Sequence, residues 1–217
     1  GSAYFDGSGD YISVPDSAGF NFSTDDFTID FWMRPDVPAA NSRIFTFGRD
    51  NGTGSIQIKQ SSATTIVVEQ VADVGAEVIS TAATITAGAW NHIALVQHGV
   101  AYTLYVNGVA GVSFNNDEPM SSQTDGFVIG ARRNSSGGID SYWKGWIDEF
   151  RVSRSVARWA ANFTPPSSAY AYGGDFVADC SAPAGVPPTL PPIYCELVSS
   201  SYAILQGNTV TPSWAAA

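Results

Sequence analysis

"KGWIDEFRVSR", residues 144–154, has the alternation of a β-strand, and the rest of the fold is read outward from it. Strict alternation puts Trp146, Asp148, Phe150 and Val152 on one side and Ile147, Glu149 and Arg151 on the other. Three of the four on the first side are large and apolar, so that side is expected to face the core. Asp148 then sits among apolar neighbours. A buried carboxylate without a partner costs several kcal/mol, so one must be supplied.

Similar runs precede this one. "FTIDFWMRP" places Phe27, Ile29, Phe31 and Met33 on one face, and "GSIQIKQ" alternates Ile56 and Ile58 with Gln57 and Lys59. "TTIVVEQV", "EVISTAATI", "NHIALVQH", "YTLYVNGV" and "GFVIGAR" continue the series, and "YVNGVAGVSF" carries the Asn-Gly pair that favours a tight hairpin. Regularly spaced short strands separated by Gly, Asn and Asp predict an all-β antiparallel sandwich or barrel. After Val152 the pattern changes: "SRSVARWAANF" has room for a turn or two of helix capped by Ser153 or Ser155. "APAGVPPTLPP" must be extended, because each proline fixes its own φ and biases the residue before it. A globular domain over 1–170 and an extended Pro-rich C-terminal arm over 171–217 are therefore expected. The arm regains β character at "IYCELVSSSYAILQ", which suits pairing with the parent domain's edge or adding a strand to a neighbour. Of the two, residues 193–212 are expected to pair with another subunit, making the protein an oligomer or part of a larger assembly.

Composition narrows the function. The 217 residues are 44 % hydrophobic and only 14 % charged, enough for a packed core. Ten Lys and Arg against twenty Asp and Glu give a net charge of −10, and no basic stripe exists to neutralise phosphates, so a nucleic-acid partner is not expected. No apolar run approaches the about 18 residues of a membrane helix, so no membrane partner is expected either. The opening Gly1-Ser2 has no signal-peptide form; it suits processing, a cloning junction, or earlier residues not included. Cys180 and Cys195 are close enough in sequence for a disulfide, and a free pair fits as well.

Four stretches in order, "YFDGSGDYISVPDS", "DFTIDFWMRPD", "AGAWNHIALVQHGVAYTLYVNGV" and "GWIDEFRVSRSVARW", resemble laminin-G-like, concanavalin A-like domains over residues 3–166. The resemblance implies a jelly roll of two packed antiparallel sheets. "RVSRSVARWAANFTPP" further resembles versions carried by virion proteins of tailed bacteriophages. It implies a non-catalytic structural or decoration protein of a phage capsid or tail, located in the virion and joined to other virion subunits. The alternative is a carbohydrate-binding adhesion module on a virion or cell surface. The family's first and last motifs lie close together, and many members bind calcium. Asp6 and Asp148 are thus expected to share a structural calcium, or Asp148 to hold the N-terminus down by accepting backbone N–H groups of the 6–9 turn.

Other residues suggest chemistry directly. Arg132, Arg133 and Asn134, with Tyr142 and Trp143, frame a Gly/Ser-rich loop where aromatics and polar groups can hold a glycan. Asp117, Glu118 and Asp125 crowd a second loop, either as a cation site or as solvated acids. His92 follows Trp90-Asn91 within a strand and reads as a packed core histidine. A glycoside hydrolase is disfavoured: retaining enzymes need two carboxylates about 5–5.5 Å apart, and no glutamate opens a same-face acid pattern. No catalytic residue is expected.

Overall fold

The computed structural model describes residues 2–17, 20, 22–36, 41–50, 54–71, 78–111, 113–116 and 125–170 (for 71 and 78–81 the backbone alone). It also describes the backbone of three later strands. The strands are β1 Ala3–Asp6, β2 Ile12–Val14, β3 Phe27–Pro35, β4 Ser42–Phe47, β5 Ile56–Ser62, β6 Thr65–Val71, β7 Val78–Thr84, β8 Asn91–His98 and β9 Ala101–Val106. They continue as β10 Val109–Ala110, β11 Phe114–Asn115, β12 Phe127–Ile129, β13 Arg132–Arg133, β14 Ile139–Asp140, β15 Lys144–Arg154, β16 Phe176–Asp179, β17 Tyr194–Leu197 and β18 Ile204–Gln206.

Two antiparallel sheets stack face to face. The first runs β10-β9-β8-β3-β15-β16-β17-β18, with β1 also on β15 and β11 also on β9. The second runs β2-β12-β4-β5-β6-β7, and β13 and β14 form a separate hairpin. The period-2 pattern explains the core. Phe27, Ile29, Phe31 and Met33 on β3 are all fully buried, as are Phe45, Phe47, Ile56, Ile58, Ile66 and Val68 opposite. Aromatic rings lock the sheets together edge to face, as in Phe31 on Phe45 at 6.1 Å and Phe20 on Phe127 at 5.0 Å. The Asn-Gly expectation holds: Asn107 and Gly108 both take positive φ, 51° and 77°, as a type I′ hairpin turn requires.

The strand at 144–154 departs from simple alternation. Between Asp148 and Arg151 its register on β3 slips by one, so that Asp148 faces Trp32 and Arg151 faces Asp30. Glu149, at φ 53°, is part of this bulge. Ile147, Phe150 and Val152 therefore point inward, Phe150 stacking on Phe31 at 5.3 Å. Trp146, Asp148 and Arg151 share the outer face. Asp148 does not sit in the core, because one extra residue reverses the faces after it.

The expected helix after Val152 is not formed. Residues 156–170 lie flat across the outer face of the first sheet, with Ala157, Trp159 and Phe163 packed on Ala94, Val96 and Tyr105. Polar partners on the sheet hold this segment: Phe163 N donates to Gly108 O, Arg158 N to Thr28 Oγ1, and Thr28 Oγ1 to Val156 O. A Cβ at Gly108 would lie 1.8 Å from Phe163 O, so this docking needs glycine there. Within the chain, β16 pairs with β15, β17 with β16 and β18 with β17. The expected pairing of residues 193–212 with another subunit concerns contacts beyond this single chain. Cys180 and the Cys195 side chain lie outside the described residues, as do Asp117 and Glu118.

Candidate functional site

Because Ile56, Ile58, Ile66 and Val68 face the core, Gln57, Lys59, Val67 and Glu69 must face outward on β5 and β6. A bulge in β4 between Arg43 and Phe45 sets Arg43 opposite Lys59, while Thr46, Gln57 and Glu69 align across three strands. Polar groups therefore converge on this face. Arg43 Nε donates to Gln57 Oε1 at 2.7 Å, and Gln57 Nε2 donates to Asp50 Oδ1 at 2.8 Å and to Glu69 Oε2 at 3.1 Å. Lys59 Nζ pairs with Glu69 Oε1.

A wall rises beside them. At Gly130 (φ 85°), where a Cβ would lie 2.3 Å from the Phe5 ring, the chain doubles back. The β13–β14 hairpin then crosses the outer face of β2, β12 and β4. Thr46 Oγ1 donates to Ala131 O, Asp50 N to Arg133 O, and Arg133 Nη2 to Ser13 Oγ. Arg132 makes a fork on Asp140, Nε to Oδ1 at 2.6 Å and Nη2 to Oδ2 at 3.1 Å, and its Nη1 reaches Asp50 Oδ2 at 2.7 Å. These bonds from Arg132, against some burial and helped by Asn134, hold the Asp140 carboxyl down to about 2. The side chains of Lys59, Arg132 and Asp140 remain 20 %, 26 % and 38 % exposed, so solvent and ligands reach the cluster.

The outer face of the first sheet holds a second cluster under the 156–170 segment. Arg151 forks onto Asp30, Nε to Oδ1 at 3.0 Å and Nη2 to Oδ2 at 2.9 Å. The Tyr170 hydroxyl donates to Asp30 Oδ2 at 2.5 Å, and its ring lies 3.7 Å from the Arg151 guanidinium. His92 Nε2 is 3.1 Å from that hydroxyl, whose proton goes to Asp30, so the ring must carry its own proton on Nε2. Burial alone would raise the Asp30 carboxyl, but donors from His92 and Arg151 outweigh it and lower it. His92 and Asp30 are wholly buried. This cluster is a clip: it fastens the covering segment, with Glu149 accepting from Tyr170 N at 2.7 Å. Beyond it, Tyr4, Trp146, Arg34 and Trp90 form a row on the same face, Arg34 lying 5.6 Å from Trp146 and 6.0 Å from Trp90.

The candidate residues from the sequence are divided by the fold. Arg132 and Asn134 belong to the open cluster, whereas Arg133 turns away toward Ser13. Tyr142 is half-buried, donating to Ile139 O. Trp143 is fully buried with its Nε1 on Gln60, so it cannot stack on a sugar. Asp6 and Asp148 do not fit a shared calcium. Asp6 lies opposite Lys144, four residues or about 13 Å along the strand from Asp148. Asp6 Oδ1 instead accepts Ser8 N at 2.6 Å, Asp10 accepts Asp6 N, and Asp148 Oδ1 accepts Glu149 N. Asp125 is paired with Arg49. Among the described residues, no three His, Cys, Asp or Glu side chains gather as a metal site. Arg43, Asp50, Gln57, Lys59, Glu69 and Asp140 were not candidates. The one available signal was the pair of polar residues alternating with Ile56 and Ile58.

The sequence from residue 6 to 160 matches the concanavalin A-like lectin/glucanases superfamily. The chain belongs to this superfamily. Solved concanavalin A-like structures share the fold. A CBM40 module of a Ruminococcus gnavus IT-sialidase, bound to α2,3-sialyllactose, aligns at 15 % identity over 73 % of this chain and 91 % of its own, with a TM-score of 0.57. A candidate carbohydrate-binding protein from Bacteroides ovatus aligns at 18 % identity, TM-score 0.62, over 96 % of this chain and 58 % of its own. A leech intramolecular trans-sialidase aligns at 16 % identity, TM-score 0.55, over 74 % of this chain and 26 % of its own. At such identities the likeness is one of fold. No curated protein matches the sequence.

Proposed function

We propose that the chain is a non-catalytic carbohydrate-recognition module whose binding face is the open outer face of β4, β5 and β6, walled by the β13–β14 hairpin. The observation that carries this reading is the convergence of Arg43, Gln57, Lys59, Glu69, Arg132 and Asp140 on one face, with Arg43 and Gln57 buried and Lys59, Arg132 and Asp140 partly exposed. Saccharide hydroxyls both donate and accept, and a planar array of fixed carboxylates, amides and cations meets both needs. The carbohydrate-binding neighbours described above support the same reading.

The face binds rather than hydrolyses. Asp50 and Glu69 are bridged by one amide, so their oxygens lie within about 6 Å, near the spacing of a retaining glycosidase. The Gln57 Nε2 group, however, stands between them, where a glycosidic oxygen would have to sit. The virion role expected from the sequence has no counterpart among the structures named above, and carriage on a virion or cell surface remains a proposal about where such a module acts. The test is a glycan array with the full chain and with Lys59→Ala, whose side chain is partly exposed on this face. The wild type is expected to bind at least one glycan and the variant to lose it while staying folded. Equal binding by both would remove this face from the account.

A further inference from the structure

We propose that the open face selects a neutral, hydroxyl-rich saccharide and discriminates against sialylated and other carboxylated glycans. This deepens the carbohydrate-recognition reading and rests on it. The face carries three cations, Arg43, Lys59 and Arg132, and three carboxylates, Asp50, Glu69 and Asp140, so its own charge is balanced. Recognising a sugar carboxylate calls for a guanidinium or ammonium whose charge is not already matched by a carboxylate. Here Arg132 spends Nε and Nη2 on Asp140 and Nη1 on Asp50. Arg43 spends Nε on Gln57 Oε1 and Nη1 on Asn41 O, with Nη2 3.8 Å from Glu69. Lys59 is paired with Glu69.

A ligand carboxylate arriving here must displace an internal one or lie beside three of them, and like-charge contact is the standard means of rejecting a wrong partner. The chain's net charge of −10 acts in the same direction at longer range. Neutral hydroxyls meet no such penalty, since they insert among paired groups without changing the charge balance. Arg133 is the guanidinium of the hairpin with no carboxylate partner among the described residues, and its Nε is buried with no hydrogen-bond partner among them. Its bond to Ser13 places it over β2, three strand spacings or about 14 Å from Gln57, outside the cluster.

The experiment uses the full chain on an array of matched pairs, each neutral oligosaccharide printed beside its sialylated or uronate-bearing counterpart, with affinities measured for every pair that gives signal. The neutral member is expected to bind about tenfold tighter or better, a gap of about 1.4 kcal/mol. Asp140→Asn, which frees the Arg132 fork, is expected to narrow that gap. Acidic members bound as tightly as neutral ones overturn the inference while leaving carbohydrate recognition standing. No binding to any member overturns both. A gap unchanged by Asp140→Asn contradicts the charge-balance explanation.

Discussion

The two outer faces of the sandwich carry the same chemistry and differ in what lies over them. On the first sheet, Arg151 forks onto Asp30, joined by His92 and Tyr170, under a segment of the chain itself. On the second, Arg132 forks onto Asp140, joined by Asp50, Gln57 and Glu69, with a wall on one side and an open sheet on the other. A fork shut away from water is a fastening, because breaking one partner strands a buried charge. A fork left in contact with water contributes little to stability and is available for recognition. Cover, rather than residue type, separates clip from site.

The largest expected effects fall on the covered side and in the core. Asp30→Ala leaves Arg151 buried without its carboxylate and is expected to cost about 3–5 kcal/mol in urea unfolding. Trp143→Ala removes a fully buried indole and should cost a similar about 3–5 kcal/mol. A folded Trp143→Ala protein that merely lost glycan binding would return that residue to the candidate site. Tyr170→Phe deletes one hydrogen bond to a charged group and should cost about 1.5–3 kcal/mol. Unchanged stability there would mean that the 156–170 segment is not clipped by Asp30.

Opposite behaviour is expected on the open side. Lys59→Ala should lower glycan affinity about tenfold or more while shifting stability by less than about 1 kcal/mol, read from the same urea curves. The smallest effect is one of acidity. The Asp140 carboxyl is depressed from its ordinary value to about 2, so its contribution is present above the ordinary carboxylate range and is lost as pH falls toward about 2. NMR titration of the Asp140 carboxyl should give a midpoint near 2, and Arg132→Gln should return it to the ordinary range. With Asp140 more than a third exposed, no global unfolding is expected to track that midpoint.

The fold was legible because alternation survives in β3, β5 and β8, and because Asn107-Gly108 leaves few turn geometries open. The strand at 144–154 was misread for a local reason: one bulged residue, Glu149, reverses the faces beyond it, and no composition cue marks a bulge. "SRSVARWAANF" has helix-compatible residues, yet Trp159 and Phe163 gain more by lying flat on Tyr105 and His92. Arg132 and Asn134 of the open site were candidates from the sequence, and Gln57 and Lys59 were marked by their alternation with Ile56 and Ile58. Their partners were not marked, because a second bulge sets Arg43 beside Gln57 and Lys59, and Asp140 faces Arg132 across a hairpin closed at 134–138. Trp143 and Tyr142 are adjacent in sequence and look equally available. Only the contact with Gln60, 83 positions away, shows which one is inside.

The most direct test of the division between clip and site is an amide NMR titration of the full chain with a glycan found on the array. Shifts are predicted to cluster on residues 43, 57, 59, 69 and 132–140, with those of Asp30, His92 and Tyr170 unmoved. Shifts centred instead on the Tyr4, Trp146, Arg34 and Trp90 row of the first sheet would contradict the account.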